Sequence, residues 1–359
     1  MRKAQTVLTM LALGLLATAP GAARAADYPA AKQADFVVRD FRFQTGEVMP
    51  EMRVHYATVG DPKGEPVLVL HGTGGTGTGL LSPTFAGELF GPGQPLDATK
   101  YFIILPDAIG TGGSTKPSDG LRAAFPKYDY LDMVQAQYRL VTEGLGLKHL
   151  RLVLGNSMGG METWVWGIAY PGAMDALVPM AAQPSPMAGR NWMMRRLLVE
   201  AVRSDPAYAG GNYQAQPPSL RLANVMFDVA TNGGTLALAA AGASHAGADR
   251  VVDDKLALPP PRDANDYIYQ WSASANYDPT PGLGRIKAPV LAINSADDER
   301  NPPDTGVMTR AMATMGNARL HLIPASTDTK GHGTTGFARF WAPVLAEFLA
   351  QVPRREPTQ

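Results

Sequence analysis

Ser157 lies in a Gly-x-Ser-x-Gly pattern, between a short apolar run and a helical pattern. The run Leu152–Leu154 predicts a strand, and residues 161–170 predict a helix. A serine at such a strand-to-helix corner has its hydroxyl exposed above the sheet, where it can act as a nucleophile. Glycine is needed at positions 155 and 159 because a Cβ atom there would collide with the tight turn or the neighbouring strand. The context favours a nucleophilic Ser157 over an ordinary connection.

A serine nucleophile needs a base, and the base needs a carboxylate that orients it. His332 follows the last predicted strand in a Lys-Gly-His-Gly loop, from which its imidazole can project over the strand ends. Asp297 and Asp298 both follow the run 290–293, and the chain order Ser, Asp, His is that of an α/β-hydrolase triad. A helix cap is the alternative role for this aspartate pair. The remaining histidines outside the glycine-rich loop have contexts typical of structural or solvated residues: His55, His149, His245 and His321.

A glycine-rich loop, residues 71–77, follows the run Val67–Leu70. It contains Gly-x-Gly-x-x-Gly, which is also found in dinucleotide sites, but no helix opens directly from these glycines. We therefore interpret it as a loop whose backbone N–H groups approach a developing oxyanion, together with the N–H of the residue after the nucleophile. Thr73 and Met158 are the candidate donors. We expect no cofactor, and because no His, Glu or Asp cluster has metal-ligand spacing we expect no metal. For Asp107, after the next strand, a packing role is expected.

Continuous apolar runs predict a parallel sheet buried on both faces. Two earlier segments, 36–43 and 52–59, alternate apolar and polar residues as antiparallel strands do. Helical patterns separate most of the later runs, and this alternation indicates one α/β sheet covered by helices. The apolar runs are 67–70, 101–105, 150–154, 177–180, 290–293 and 320–323. The helical patterns are 130–145, 161–170, 303–315 and 335–349.

The alternation is interrupted between residues 184 and 287, a stretch with amphipathic helical patterns at 192–202, 220–230 and 236–241. It leaves the sheet after one strand and returns before the next, so we interpret it as a helical cap inserted into a core made of 26–183 and 288–359. Its Met and Trp residues are interpreted as filler between small helices, with a substrate-facing wall as the alternative.

Residues 1–25 have the features of a signal peptide: a basic start, an apolar stretch from Val7 to Ala19, and Ala-Arg-Ala before the expected cleavage point. We expect a periplasmic or secreted protein with no membrane span after cleavage; an N-terminal anchor helix is the alternative. The 359 residues include 45% hydrophobic ones, enough for a substantial core, and there is no cysteine. Zero formal net charge gives no reason to expect a nucleic-acid partner.

Several of these segments resemble the homoserine O-acetyltransferase-like branch of the α/β-hydrolase superfamily, from about residue 35 to the C-terminus. The resemblance rests on the elbow Gly-Asn-Ser-Met-Gly-Gly-Met (155–161), Asp-Glu-Arg-Asn-Pro-Pro (298–303), the Gly-His loop, and Arg-Ser-Asp-Pro and Gly-Gly-Asn-Tyr in the cap. It implies an α/β-hydrolase fold with a triad of Ser157, Asp298 and His332, since the Asp-x-x-x-Pro-Pro spacing selects Asp298 over Asp297.

Two departures bear on the substrate. The branch carries an aspartate after the triad histidine that meets the substrate amine, and here that position is Gly333. An arginine of the first cap helix that meets the substrate carboxylate is aligned, loosely, with Val199. We therefore expect a serine hydrolase acting on an uncharged small-molecule carboxylic ester, with an amide or lactone as the less favoured substrate. The alternatives are an acyltransferase with the same triad, a nicotinamide oxidoreductase and a non-catalytic binding protein.

Overall fold

The protein is an α/β structure built on one eight-stranded sheet, described here from a computed structural model that covers residues 27–259 and 262–354. The predicted signal peptide lies outside these residues. The strands follow the order β1-β2-β4-β3-β5-β6-β7-β8. Their bounds are β1 Lys32–Arg42, β2 Val48–Val59, β3 Glu65–Leu70, β4 Tyr101–Pro106, β5 Leu152–Asn156, β6 Leu177–Met180, β7 Val290–Ser295 and β8 Ala318–Ile323.

Strand direction follows the residue pattern. The alternating strands β1 and β2 pair antiparallel with each other, and β2 pairs antiparallel with β4. All remaining pairs are parallel. The central strands β3 to β7 are almost entirely buried because helices cover both faces of the sheet. The predicted α/β-hydrolase sheet is thus confirmed, with all eight predicted runs forming strands.

Outside the cap, the patterns missed the short helix at 86–89 and otherwise agree with the structure except near the C-terminus. The core helices are α1 Ala86–Leu89, α2 Tyr130–Arg139, α3 Met158–Ala169, α9 Val307–Ala313 and α10 Ala342–Gln351. A single helix was predicted for 335–349, but residues 331–336 and 338–340 form 3-10 turns before α10 begins. Those turns carry His332 to the carboxyl ends of the strands.

The described residues of the stretch predicted as a cap form five α-helices between β6 and β7. They are α4 Gly189–Arg203, α5 Ser219–Thr231, α6 Thr235–Ala241, α7 His245–Ala257 and α8 Ala264–Ser272. The sequence patterns indicated α4, α5 and α6 but missed α7 and α8. Helices α4, α5 and α8 share an apolar cluster of their own, which includes Val202, Leu220 and Trp271. None of the helices in the described ranges combines the length and apolar character that a membrane crossing requires.

Candidate active site

Ser157 stands at the corner between β5 and α3 in a backbone conformation that L residues rarely adopt, with φ 57° and ψ −110°. The corner is tight: a Cβ atom on Gly155 would lie 2.0 Å from the Gly159 carbonyl oxygen. A Cβ atom on Gly159 would lie 2.4 Å from the Leu70 carbonyl oxygen on the adjacent strand. Both glycines are therefore required by close packing, as the pattern predicted.

The structure brings Ser157, His332 and Asp298 into one hydrogen-bonded chain. Ser157 Oγ lies 2.7 Å from His332 Nε2, and His332 Nδ1 lies 2.9 and 3.0 Å from the two carboxylate oxygens of Asp298. All three side chains are buried. With Nδ1–H donating to the carboxylate, Nε2 has a lone pair for the serine hydroxyl.

Electrostatics favour a neutral imidazole and an ionised carboxylate. Burial lowers the pKa of His332 from its ordinary value, although Asp298 acts in the opposite direction. Burial alone raises the pKa of Asp298, but the interaction with His332 and hydrogen bonds from Asn301 and Arg300 outweigh it, so that the pKa is lowered. At neutral pH His332 can therefore accept a proton from Ser157.

The two aspartates of the loop after β7 have different hydrogen-bond partners and therefore different roles. Asp298 accepts hydrogen bonds from Arg300 N at 2.9 Å and from Asn301 Nδ2 at 2.9 Å, which fix its carboxylate beneath the imidazole. Asp297 instead accepts from Thr329 Oγ1 at 2.7 Å and from Gly331 N at 3.3 Å. Asp297 thus braces the loop that carries His332 and does not contact the imidazole. The role of Asn301 as a hydrogen-bond donor to Asp298 was not predicted from the sequence. Its position directly before the Pro-Pro pair was the sequence signal that could have indicated it.

The glycine-rich loop lies against the nucleophile. A Cβ atom on Gly72 would lie 3.4 Å from Ser157 Cβ. Met158 is the first residue of α3, so its N–H has no partner within the helix. Thr73 follows Gly72, and its Oγ1 is buried without a hydrogen-bond partner among the described residues. The two predicted oxyanion donors thus directly follow residues at the nucleophile, Gly72 and Ser157, and their role stays a prediction.

Two other buried groups shape this loop. Asp107 accepts from Gly77 N at 2.6 Å and from Gly113 N at 2.8 Å, which corresponds to the packing role expected for it. His71 Nε2 accepts from Ala108 N at 3.0 Å. The loop continues into a 3-10 turn at 78–80 rather than a helix that opens on the glycines. In the described ranges, no group of three His, Cys, Asp or Glu residues is placed to hold a metal ion.

A cavity of about 350 Å³ opens beside His332, between the cap and the strand ends. Arg195 of α4 lines it and is only 1% exposed. Val199, one turn later, packs in the apolar cluster of the cap instead. The first cap helix therefore does present a cation to the cavity, one turn before the position where the sequence comparison expected a replaced arginine.

The position of Arg195 weakens one argument for an uncharged substrate. Arg195 occupies the same helical stripe as Leu198, Val199 and Val202, all buried. A charge on an otherwise apolar stripe was the sequence signal that could have identified it. Arg300, from the Asp298 loop, lines the cavity as well. At Gly333, by contrast, the sequence departure stands: no side chain is present, and a Cβ atom would lie 3.2 Å from Asn232 Oδ1.

Comparisons with known proteins identify the family and the fold of the chain. Residues 65–326 match the family model described as alpha/beta hydrolase fold. The homoserine O-acetyltransferase of Thermobifida fusca (strain YX) is 32% identical over 216 residues, which are 55% of this chain and 56% of that protein. The chain thus matches about half the length of this curated relative.

Solved structures extend the likeness over most of the chain. The homoserine O-acetyltransferase from Bacillus anthracis superposes with a TM-score of 0.79 at 21% identity, covering 91% of this chain and 100% of that one. The acetyl esterase MekB gives a TM-score of 0.77 at 23% identity, covering 89% and 97%. At these identities the superpositions show the fold alone. The chain therefore belongs to the α/β-hydrolase fold family, and its relatives confirm the resemblance to the homoserine O-acetyltransferase-like branch.

Proposed function

We propose that the protein is a serine esterase that cleaves a carboxylic ester through an acyl-enzyme on Ser157. The observation that carries the proposal is the continuous chain from Ser157 Oγ through His332 to Asp298, with distances of 2.7 and 2.9 Å. A nucleophile, a base and an orienting carboxylate in hydrogen-bond contact are the parts that acyl transfer requires. The strained corner at Ser157 is the second support, since backbone strain of this kind clusters at functional sites.

In the proposed reaction, Ser157 Oγ attacks the ester carbonyl while His332 Nε2 accepts its proton. The imidazolium that forms is stabilised by Asp298 and returns the proton to the departing alcohol. Water then attacks the acyl-enzyme, with His332 again acting as base, and releases the acid. The N–H groups of Thr73 and Met158 are proposed to hold the oxyanion in both steps.

Acyl transfer to an acceptor other than water is the second candidate function. The buried guanidinium of Arg195 favours it, because an acceptor that carries a carboxylate would find a cation in the cavity. The same reasoning is consistent with relatives that are named homoserine O-acetyltransferases. Gly333 weighs against homoserine itself, since the branch's amine-binding aspartate is absent and the ammonium group would lose that partner.

Product analysis separates the two candidates. The purified enzyme is incubated with p-nitrophenyl acetate, alone and with homoserine or a simple alcohol, and the products are identified by mass spectrometry. The esterase proposal predicts free acetate as the main product, at a rate that homoserine does not raise. Acetyl-homoserine formed faster than acetate would favour the acyltransferase and reject the esterase. The variant Ser157→Ala, which should form both products only near the rate seen without enzyme, is the control for uncatalysed transfer.

Export stays a proposal that rests on residues 1–25 alone. An exported enzyme would work without the acetyl-CoA of the cytoplasm. This is a further reason to propose water, rather than another nucleophile, as the acceptor of the acyl group. The N-terminal sequence of the protein isolated from the periplasm or medium tests this. A mature chain that begins near residue 26 would support it, and an intact Met1 in the cytoplasmic fraction would contradict it.

A further inference from the structure

We propose that the cap turn, residues 231–234, is a positioning element for the catalytic base. It runs from the last residue of α5 to the residue before α6 and holds the loop that carries His332. The imidazole is therefore in place only while the cap packs against the core. The inference rests on the proposed esterase function and extends it from the triad to the cap. Residues of the cap turn act through His332 and Asp298 and not by contact with the substrate.

The cap turn forms a backbone hydrogen bond with the His332 loop. Gly233 N donates to the Lys330 carbonyl oxygen at 3.1 Å. The same oxygen accepts from Gly333 N at 2.9 Å. The Lys330 carbonyl group is thus shared between the cap and the residue that follows the base. Because Lys330 and Gly333 lie on either side of His332 in the chain, this contact fixes the part of the loop that carries the imidazole.

Two glycines face each other where the cap turn meets the His332 loop. A Cβ atom on Gly234 would lie 2.7 Å from Gly331 N, and one on Gly331 would lie 2.6 Å from Gly234 N. Gly234 has φ 78° and Gly331 has φ 53°, both in the left-handed region that favours glycine. Close approach and backbone conformation therefore both require glycine on each side of this contact.

The cap turn also contacts the loop of the triad carboxylate. Arg300 Nε donates to Thr231 Oγ1 at 3.1 Å, and Arg300 Cζ lies 4.6 Å from the ring centre of Phe227 in α5. The backbone N of Arg300 donates to Asp298 Oδ1 at 2.9 Å. One segment of the cap thus contacts the loops that carry both the base and its orienting carboxylate.

The position of the His332 loop matters because proton transfer depends on one short distance. Ser157 Oγ and His332 Nε2 are 2.7 Å apart, and a displacement of about 1 Å at a reacting group can lower a rate about 100-fold. The loop forms a 3-10 turn at 331–336 and not a long helix, so its position depends on contacts with neighbouring elements. Asp297 supplies such a contact from the core, and the cap turn supplies another from the cap.

Gly234→Ala tests the proposal because the added methyl group would push the cap turn away from the His332 loop. Its Cβ would lie 2.4 Å from Asp297 Oδ2, whereas ordinary contacts begin at 3.4 Å, so the turn or the loop must move by about 1 Å, the difference between these distances. Gly210→Ala is the matched control. Gly210 lies in the cap and also has a positive φ, 61°, but the space around its Cβ position is open.

We expect kcat for p-nitrophenyl acetate to fall about 10- to 100-fold in Gly234→Ala relative to Gly210→Ala, with KM changed by less than about twofold. Stopped-flow measurement of the p-nitrophenol burst separates the two chemical steps. Both the burst rate and the steady-state rate should fall, because His332 acts in acylation and in deacylation. The burst amplitude should stay unchanged, since a displaced base slows every molecule, whereas a partly unfolded sample would show a smaller amplitude.

Thr231→Val tests the contact with the carboxylate loop without adding a clash. Valine has nearly the shape of threonine but cannot accept the hydrogen bond from Arg300. We expect kcat to fall about 2- to 10-fold with an unchanged burst amplitude, which corresponds to the net contribution of one hydrogen bond. If Gly234→Ala does not fold, an unchanged kcat in Thr231→Val decides against the proposal.

Two results for Gly234→Ala would overturn the proposal. One is a kcat within about twofold of that of Gly210→Ala, which would show that the base does not depend on the cap turn. The other is a higher KM at constant kcat, which would assign the turn to substrate binding. A parent enzyme without a burst and without labelling of Ser157 by a fluorophosphonate would instead reject the proposed esterase function, and the inference with it.

Discussion

Replacement of Asp298 by asparagine should disable the base by reversing the imidazole tautomer. Asp298 Oδ1 accepts from Arg300 N at 2.9 Å, and Oδ2 accepts from Asn301 Nδ2 at 2.9 Å. An asparagine has one acceptor oxygen for these sites, so its NH₂ group would face His332 Nδ1. The imidazole would then accept there and carry its proton on Nε2, where it could no longer accept the proton of Ser157.

The expected loss is large and specific. Removing the orienting carboxylate of a Ser-His-Asp triad in this way lowers kcat by about four orders of magnitude in a well-studied protease. Since each factor of ten corresponds to about 1.4 kcal/mol, the loss is about 5.5 kcal/mol of transition-state stabilisation. We expect a loss of similar size in Asp298→Asn, because the carboxylate is buried and contacts Nδ1 through both oxygens.

Asp297→Asn is the matched control, one residue away. Asp297 holds Thr329 and Gly331 rather than the imidazole, so its replacement should cost about 1–3 kcal/mol of stability and reduce kcat by less than about tenfold. The assay is kcat/KM on p-nitrophenyl acetate together with the thermal midpoint of each variant. A smaller activity loss in Asp298→Asn than in Asp297→Asn would refute this division of roles.

Two further predictions concern the base and the nucleophile corner. Because burial lowers the pKa of His332 from its ordinary value of 6.5 and only the neutral imidazole is active, kcat/KM should fall with decreasing pH only below about 6.5; a pH–rate profile whose acid limb has its midpoint above 7 would contradict this. Gly159→Ala should destabilise the protein by about 3 kcal/mol or more, because the added Cβ would lie 2.4 Å from the Leu70 carbonyl oxygen, whereas Gly316→Ala, with open space around its Cβ, should be nearly neutral in denaturant unfolding; equal effects would show that the corner can relax.

The sheet was predictable from sequence because its strands carry a strong local signal. Continuous apolar runs such as 101–105 are expected only where both faces of a strand are covered, and all of them form strands. The triad could be predicted for the same reason, because Ser157, Asp298 and His332 each follow a strand with a clear sequence pattern. Chain order then limited the assignments, although it did not by itself separate Asp297 from Asp298.

The cap was harder to predict because tertiary packing decides its structure. Helix α8 begins at an Asp263 cap and buries polar residues such as Gln270, whose Oε1 accepts a hydrogen bond from Gly74 N of the glycine-rich loop. Most residues of α8 are buried, including the polar Asn265 and Asp266, so its polar residues do not mark a solvent-exposed face. Arg195 and Arg300 were missed because an arginine that lines a cavity cannot be distinguished, from its residue type alone, from an arginine on the surface. Only the position of a charge on an apolar stripe distinguished Arg195, and nothing local distinguished Arg300.

The most direct test of the account is the detection of the acyl group on Ser157. The enzyme is mixed with p-nitrophenyl acetate, quenched in acid within milliseconds, digested and analysed by mass spectrometry, with Ser157→Ala treated in parallel. We predict a peptide that carries one acetyl group on Ser157, formed in a burst with p-nitrophenol and absent from the variant. An acetyl group on another residue, or full turnover in Ser157→Ala, would contradict the assignment of Ser157 as the nucleophile.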